Sequence, residues 1–442
     1  MGVERRGCII QFYHKENCRS IPVGGTEMIK TKPFSISKDI VQQAYLRVKG
    51  NRGSAGIDGI SLERFEESRR EHLYRLWNRM SSGSYMPSPI KLVEIPKQGG
   101  EKRPLGIPTV TDRIAQMVAT LTLEPELDQI FHKDSYGYRS RKSALEAVGK
   151  ARQRCWRYDW VLDFDIKGFF DNIPHDLLIK AVRKHTDCKW VLLYIERWIK
   201  APLQQQDGFL TVRDKGIPQG AVISPLLANL FLHYCMDEWL RIHYPDCPFE
   251  RYADDSVIHC RTEARAVELK EALDERLKAC GLEIHPVKTK IVYCRDGNRK
   301  KEYPNVQFDF LGYTFRARKA MNKQGEYFTS FIPAVSNKAK TAMRDKMRSW
   351  QLHRKGSSEL AKLAETINPV LQGWINYYGA YYKTELHQVL DHVNRLLVKW
   401  ATRKYKRLKD RKVRAIKWLA EIAIRAPNLF AHWRIGVKPT IG

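Results

Sequence analysis

The sequence predicts an α+β fold, in which short strands carrying paired carboxylates are separated by helical segments and followed by a helix-rich, basic C-terminal quarter. Three observations predict it. The run FERYADDSVIHC, residues 249–260, sets apolar and β-branched residues on either side of Asp254 and Asp255, so it reads as two strands joined by a tight Asp-Asp turn. Upstream, YDWVLDFDIKGFF, residues 158–170, reads as an apolar strand with Asp163 and Asp165 two residues apart, hence on one face. From residue 331 to 442 there are 23 Lys+Arg against 7 Asp+Glu, and the apolar residues fall at helical spacing.

Acids in an apolar strand are costly unless a cation faces them. Adjacent anions repel, and a hard, oxygen-seeking ion such as Mg²⁺ or Mn²⁺ relieves that repulsion. An isolated Asp-Asp pair is more often a solvated turn; here a second carboxylate strand supplies the context for a cluster holding two ions about 3.5–4 Å apart. Composition points the same way. A net charge of +28 over 442 residues implies a polyanionic partner, and no stretch has the length and apolarity of a membrane span. The first thirty residues lack the apolar core of a secretory signal. Nine cysteines without a CxxC pair predict reduced thiols in a cytoplasmic protein and no zinc site.

In chain order, residues 1–37 carry no pattern and read as a poorly ordered lead-in. Ile40, Val41, Ala44, Tyr45 and Val48 then mark a helix, followed by a glycine-rich loop at 51–59 and a helix at 62–80 that buries Leu73, Leu76 and Trp77. Residues 90–108 read as a hairpin turning at Gln98-Gly99-Gly100 and carrying Lys91, Lys97 and Arg103. A helix at 109–130 should be interrupted at Pro125. The loop SYGYRSR interleaves aromatics with Arg139 and Arg141, a mix suited to stacking on bases and pairing with phosphates. Helices follow at 174–184 and 189–199, then the glycines of GIPQG before an apolar helix at 225–239. A striped helix covers 263–280, and HPVKTKIVYC gives a strand preceded by Lys288 and Lys290, the latter a surface residue. Further on, Leu363, Ile367, Leu371, Trp374, Ile375 and Tyr378 keep helical spacing. Tyr377, Tyr378, Tyr381 and Tyr382 suit either stacking or core. The run RKYKRLKDRKVR, with Arg403, Lys404, Lys406, Arg407, Arg411 and Lys412, reads as a helix-like cationic face.

The ordered set EIPKQGGEKRPLGIPTVTDR, SYGYRSRKSA, DFDIKGFFDNIPHD, GIPQGAVISPLLAN, YADD, FDFLGYTF and INPVLQGWINYY resembles a bacterial group II intron-encoded reverse transcriptase and maturase from about residue 51 to 382. The resemblance implies a right-hand polymerase: fingers and a palm with an antiparallel sheet, followed by an α-helical thumb. Its divisions would be a lead-in (1–37), N-terminal extension and fingers (38–160), palm (161–320), thumb or maturase domain (333–393) and a basic nucleic-acid-binding segment (394–442). Asp165, Asp254 and Asp255 would be catalytic and hold two Mg²⁺ ions, with Mn²⁺ as a substitute and Asp163 in a lesser role. Lys97 and Arg103 would close on the incoming triphosphate, Gln219 would contact the nucleotide, and Lys288 would serve the pyrophosphate. Phe170 would wall off a 2′-hydroxyl, unless its neighbour Phe169 is the one that faces the site. Arg139, Arg141, Tyr377, Tyr381 and the 403–412 cations would grip nucleic acid. The implied partners are dNTPs, a DNA primer or target, and a structured group II intron RNA whose splicing and mobility the protein supports. Two other readings stay open: a domesticated reverse transcriptase serving defence or repair, and a splicing factor without polymerase activity. Family members often end in an HNH endonuclease; no matching Cys/His arrangement is present, so none is expected.

Overall fold

In the computed structural model, which describes residues 32–96, 102–322 and 324–440, the chain divides into two units. Each is assembled from separated segments. The first takes the chain up to Lys133 together with Ile166–His243 and Leu273–Glu283; the second takes Asp134–Asp165, Tyr244–Ala272 and Ile284 onward.

The first unit packs helices beside a four-stranded sheet. Its strands are β1 (Ile90–Pro96), β2 (Lys102–Ile107), β4 (Leu203–Gln204) and β5 (Leu210–Thr211), in the order β2-β1-β4-β5. β1 and β2 form the expected antiparallel hairpin; its turn, with Lys97, lies outside the described residues. Of the lead-in, residues 1–31 also lie outside them, but 32–37 are tied down. Phe34 N donates to Ser81 O (3.1 Å), Trp77 Nε1 donates to Ile36 O (2.7 Å), and Ser37 caps the helix Lys38–Gly50.

Three helix expectations need correction. The 62–80 helix is two, Leu62–Glu67 and Arg69–Ser81, because Ser68 leaves the helical region (φ −119, ψ 32); Trp77 is only half-buried. The helix Val110–Ile130 runs unbroken through Pro125, its flanking Leu123 and Leu127 buried deeply enough to outweigh one lost backbone bond. The 225–239 helix is longer, Ser224–Leu232 continuing through a wider π-turn at His233–Asp237 into Glu238–His243.

The second unit holds two sheets and a helical C-terminal part. β3 (Trp160–Phe164) is central in the order β6-β7-β3-β8, with β6 (Phe249–Tyr252), β7 (Asp255–Cys260) and β8 (Lys290–Tyr293), and every pairing is antiparallel. The other sheet is β9 (Gln307–Phe310), β10 (Tyr313–Met321) and β11 (Tyr327–Val335). Sequence reading found β9 and the start of β10 but not the nine-residue partner β11. The helix Ala144–Cys155, opened by a Ser143/Glu146 capping box, packs Ala147, Val148 and Ala151 into their shared core.

Beyond β11 the helices Asn337–Ser349, Leu360–Tyr378, Lys383–Lys404, Lys412–Arg425 and Ala431–Arg434 surround one core, including Met343, Ile367, Leu371, Val393, Trp400, Leu419 and Trp433. The expected division at 393/394 therefore cuts through a helix and through a single core. Nor is the cationic run one helix. It breaks after Lys404, passes through a 3₁₀ turn at Lys406–Leu408 that buries Leu408, and takes a left-handed residue at Asp410 (φ 56) before restarting at Lys412.

Candidate active site

β6 and β7 meet in a two-residue turn, Tyr252 pairing with Asp255 across Ala253 and Asp254. β7 lies against β3 with Phe164 opposite Ser256, one step from both Asp255 and Asp165. Asp163, opposite Val257, and Asp165, one residue past the end of β3 nearest the turn, thus share one face by period-two alternation. Asp165 is fixed through its backbone: its carbonyl accepts from His285 N (2.7 Å), and its N–H donates to Thr289 Oγ1 (3.4 Å). Lys288 Nζ donates to Asp165 Oδ2 at 2.9 Å from an exposed side chain, while Lys290 is exposed and pairs in register with Asp163.

Burial and crowding raise carboxylate pKa values here. The Asp255 carboxyl is pushed up to about 7, first by burial and then by Asp254, with Asp165 and Asp309 adding and the Leu311 N–H opposing. Asp163 rises to about 8, again chiefly by burial, then by Asp255 and Asp309. Among the described residues no three His, Cys, Asp or Glu side chains converge into a ready-made metal cage. An all-carboxylate donor set nevertheless fits Mg²⁺ or Mn²⁺, since Mg²⁺ takes only one or two carboxylates and fills its shell with water and phosphate oxygens.

The other predicted nucleotide contacts fall in the first unit, except Lys97, which lies outside the described residues. Gln219 is half-buried, its carbonyl accepting from Gly106 N (2.7 Å), and it lines a cleft of about 220 Å³ with Leu92, Asp171, Arg213 and Lys215. Gly216 must be glycine: its φ is +80, and a Cβ there would come within 2.6 Å of Asp171 O. His175 Nε2 lies 2.7 Å from Gly216 O and fixes this loop. Phe169 is 2% exposed and belongs to the core, whereas Phe170 is half-buried, its ring 5.3 Å from that of Phe169. Arg103 is exposed on β2 opposite Ile95.

Of the predicted nucleic-acid contacts, Arg141, Arg403, Lys406, Arg407, Arg411 and Lys412 are exposed. The remaining four are engaged within the protein. Arg139 Nη1 donates to Ser135 O (2.9 Å), and Lys404 Nζ donates to Ser358 O (2.6 Å). Tyr377 and Tyr381 are half-buried and pack against their neighbours. Their hydroxyls donate to Leu311 O and Leu145 O, both at 2.9 Å, and their rings lie 5.5 and 5.6 Å from that of Tyr313. Sequence reading did not single out Asp309 or His175. Only Asp309 had a visible signal, an acid inside the apolar strand FDFLGYTF.

A family model described as reverse transcriptase (RNA-dependent DNA polymerase) matches residues 95–315, half of the chain, and one described as group II intron, maturase-specific domain matches residues 340–418. The chain belongs to the group II intron-encoded reverse transcriptase and maturase family. Protein YkfC of Escherichia coli is 30% identical over 312 residues, 61% of this chain and 77% of YkfC. The group II intron-encoded protein LtrA of Lactococcus lactis is 33% identical over 202 residues, 45% of this chain and 33% of LtrA. The putative COX1/OXI3 intron 1 protein of Saccharomyces cerevisiae is 30% identical over 216 residues, 48% of this chain and 26% of that protein. The chain thus matches most of YkfC but a third or less of the other two. Among the described residues no helix is long and apolar enough to cross a membrane.

Proposed function

We propose that this chain is an RNA-directed DNA polymerase that extends a DNA primer or target on a structured group II intron RNA and supports splicing and mobility of that RNA. The observation that carries the reading is the pairing of Phe164 with Ser256, which brings the strand end bearing Asp165 beside the Asp254–Asp255 turn. Asp165, Asp254 and Asp255 would hold two divalent ions, Mg²⁺ by preference and Mn²⁺ as a substitute. When bound, such ions polarise an attacking hydroxyl and neutralise charge on a leaving pyrophosphate. Lys288, already paired with Asp165, supplies a cation for that pyrophosphate. Arg103, Lys97 and Gln219 are assigned to the incoming dNTP, and Phe170 to excluding its 2′-hydroxyl. We assign residues 38–160 to the N-terminal extension and fingers, 161–320 to the palm, and the helices from residue 337 onward to a thumb and maturase part with one core.

Primer extension on an RNA template with Mg²⁺, run beside RNA binding, tests the reading. Asp165→Asn and Asp254→Asn should each abolish extension while leaving RNA affinity intact. Near-wild-type extension by either variant rejects this metal site. Binding without extension by the wild-type protein points instead to a splicing factor lacking polymerase activity.

A further inference from the structure

The Asp254–Asp255 turn has an unusual conformation for its sequence. Ala253, its first central residue, lies in the left-handed region (φ +58), which residues other than glycine, asparagine and aspartate seldom occupy. Two neighbours crowd it there. Arg251, on β6 and fully buried, donates from Nη1 to Ala253 O at 3.0 Å. That oxygen belongs to the peptide joining Ala253 to Asp254, so the bond sets the plane from which the Asp254 carboxylate projects. Gly137 also lies against the turn: a Cβ there would collide with Ala253 N and stand 2.9 Å from Tyr252 C. Gly137 is not in the left-handed region, so close approach, rather than backbone freedom, demands glycine.

The backing is itself anchored. Residues 134–136 run alongside β6, with Arg251 N donating to Asp134 O (3.0 Å) and Tyr136 N donating to Arg251 O (2.8 Å). Arg154 ties this segment to the strand, its Nη2 2.6 Å from Asp134 Oδ2 and its Nη1 2.5 Å from Glu250 Oε1. The other oxygen of Glu250 lies 2.7 Å from His259 Nε2 on β7. Backbone bonds thus tie residues 134–136 to β6 at Arg251, and the ion pairs of Arg154 and Glu250 brace the same strand.

We propose that Arg251 and Gly137 are positioning residues that fix the carboxylate turn for metal binding and catalysis, a proposal that rests on the polymerase reading. They touch no substrate and act through Ala253 and Asp254. The test compares wild type, Arg251→Lys, Gly137→Ala and the double variant Arg251→Lys/Ala253→Gly. It measures kcat and KM for dNTP, thermal stability, and Mn²⁺ binding by electron paramagnetic resonance without substrate.

Misplacing reacting groups by about an ångström costs on the order of a hundredfold in rate, so kcat of both single variants should fall by about that factor, with KM little changed. Mn²⁺ binding should weaken in both. Adding Ala253→Gly should restore part of kcat and of Mn²⁺ affinity, because glycine adopts the left-handed turn without help. Unchanged kcat and Mn²⁺ affinity in folded Gly137→Ala overturn the proposal, whether or not Arg251→Lys folds. So does a loss that follows thermal stability alone and is not rescued by Ala253→Gly. A wild-type protein that binds Mn²⁺ but extends no primer rejects the polymerase reading, and the Mn²⁺ comparison still decides the positioning role.

Discussion

Neighbouring aromatics at 169 and 170 show how much one step along the chain decides. Phe169 is core and Phe170 is half-buried, so truncating each should have a different effect. Phe170→Ala should admit ribonucleotides with little loss of stability, read as the ratio of rNTP to dNTP efficiency in single-turnover extension. Phe169→Ala should instead cost about 3–5 kcal/mol in urea unfolding. A shift in sugar discrimination by Phe169→Ala alone would reverse the assignment. His432 offers a pH test. Its Nε2 donates to Asn394 Oδ1 (2.9 Å) in the C-terminal core, and burial holds its pKa down from 6.5 to about 3. The unfolded chain then binds a proton that the folded chain refuses. Stability from this group is full above pH 6.5 and falls as pH drops toward 3, by up to about 1.4 kcal/mol per unit. Urea unfolding between pH 7.5 and 4 should show a shallower loss in His432→Gln. The acids proposed to be catalytic stood out in the sequence because a charge inside an apolar strand is a chemical anomaly. Arg251 did not, since a basic residue before YADD looks like any other until its burial is known. The packing of Tyr377 and Tyr381 was not legible because a tyrosine suits core and surface equally, and their hydroxyl partners lie 66 and 236 residues away in sequence.

At the level of elements, local pattern found most helices and strands but misjudged their ends. Ser68 and Asp410 break helices for conformational reasons that periodicity does not encode, while Pro125 fails to break one because its neighbours are deeply buried. The C-terminal charge run illustrates the cost of reading charge without packing. Arg403, Lys406, Arg407, Arg411 and Lys412 are exposed, yet Trp400, Leu408, Ala415 and Leu419 between and around them are core. Ending the chain at Val393 should therefore unfold the helical part and abolish extension as well as RNA binding, with the cooperative thermal transition lost. Changing the five exposed cations to Gln should preserve that transition and extension on a short primed template. It should also flatten the salt dependence of RNA binding, by about 0.7 in log–log slope for each single-strand phosphate left without its cation. An unchanged slope would remove this surface from the RNA interface.

For the molecule as a whole, the net charge of +28 was the most legible property and the division into two units the least. Periodicity and motif spacing report on neighbours in sequence, whereas β3 finds its partners at residues 255–260 and 290–293. That interleaving has a consequence for how the protein is made. β3 leaves the ribosome well before β8, and at about 5–20 residues per second the interval is roughly 6–25 s. Throughout that time a largely apolar central strand waits with one or both edges open, the condition in which nascent chains mispair or recruit chaperones. The sheet around β3 can be completed only when translation passes residue 293, so slowing elongation between β3 and β8 should lower the soluble yield of a chain whose finished fold is unchanged.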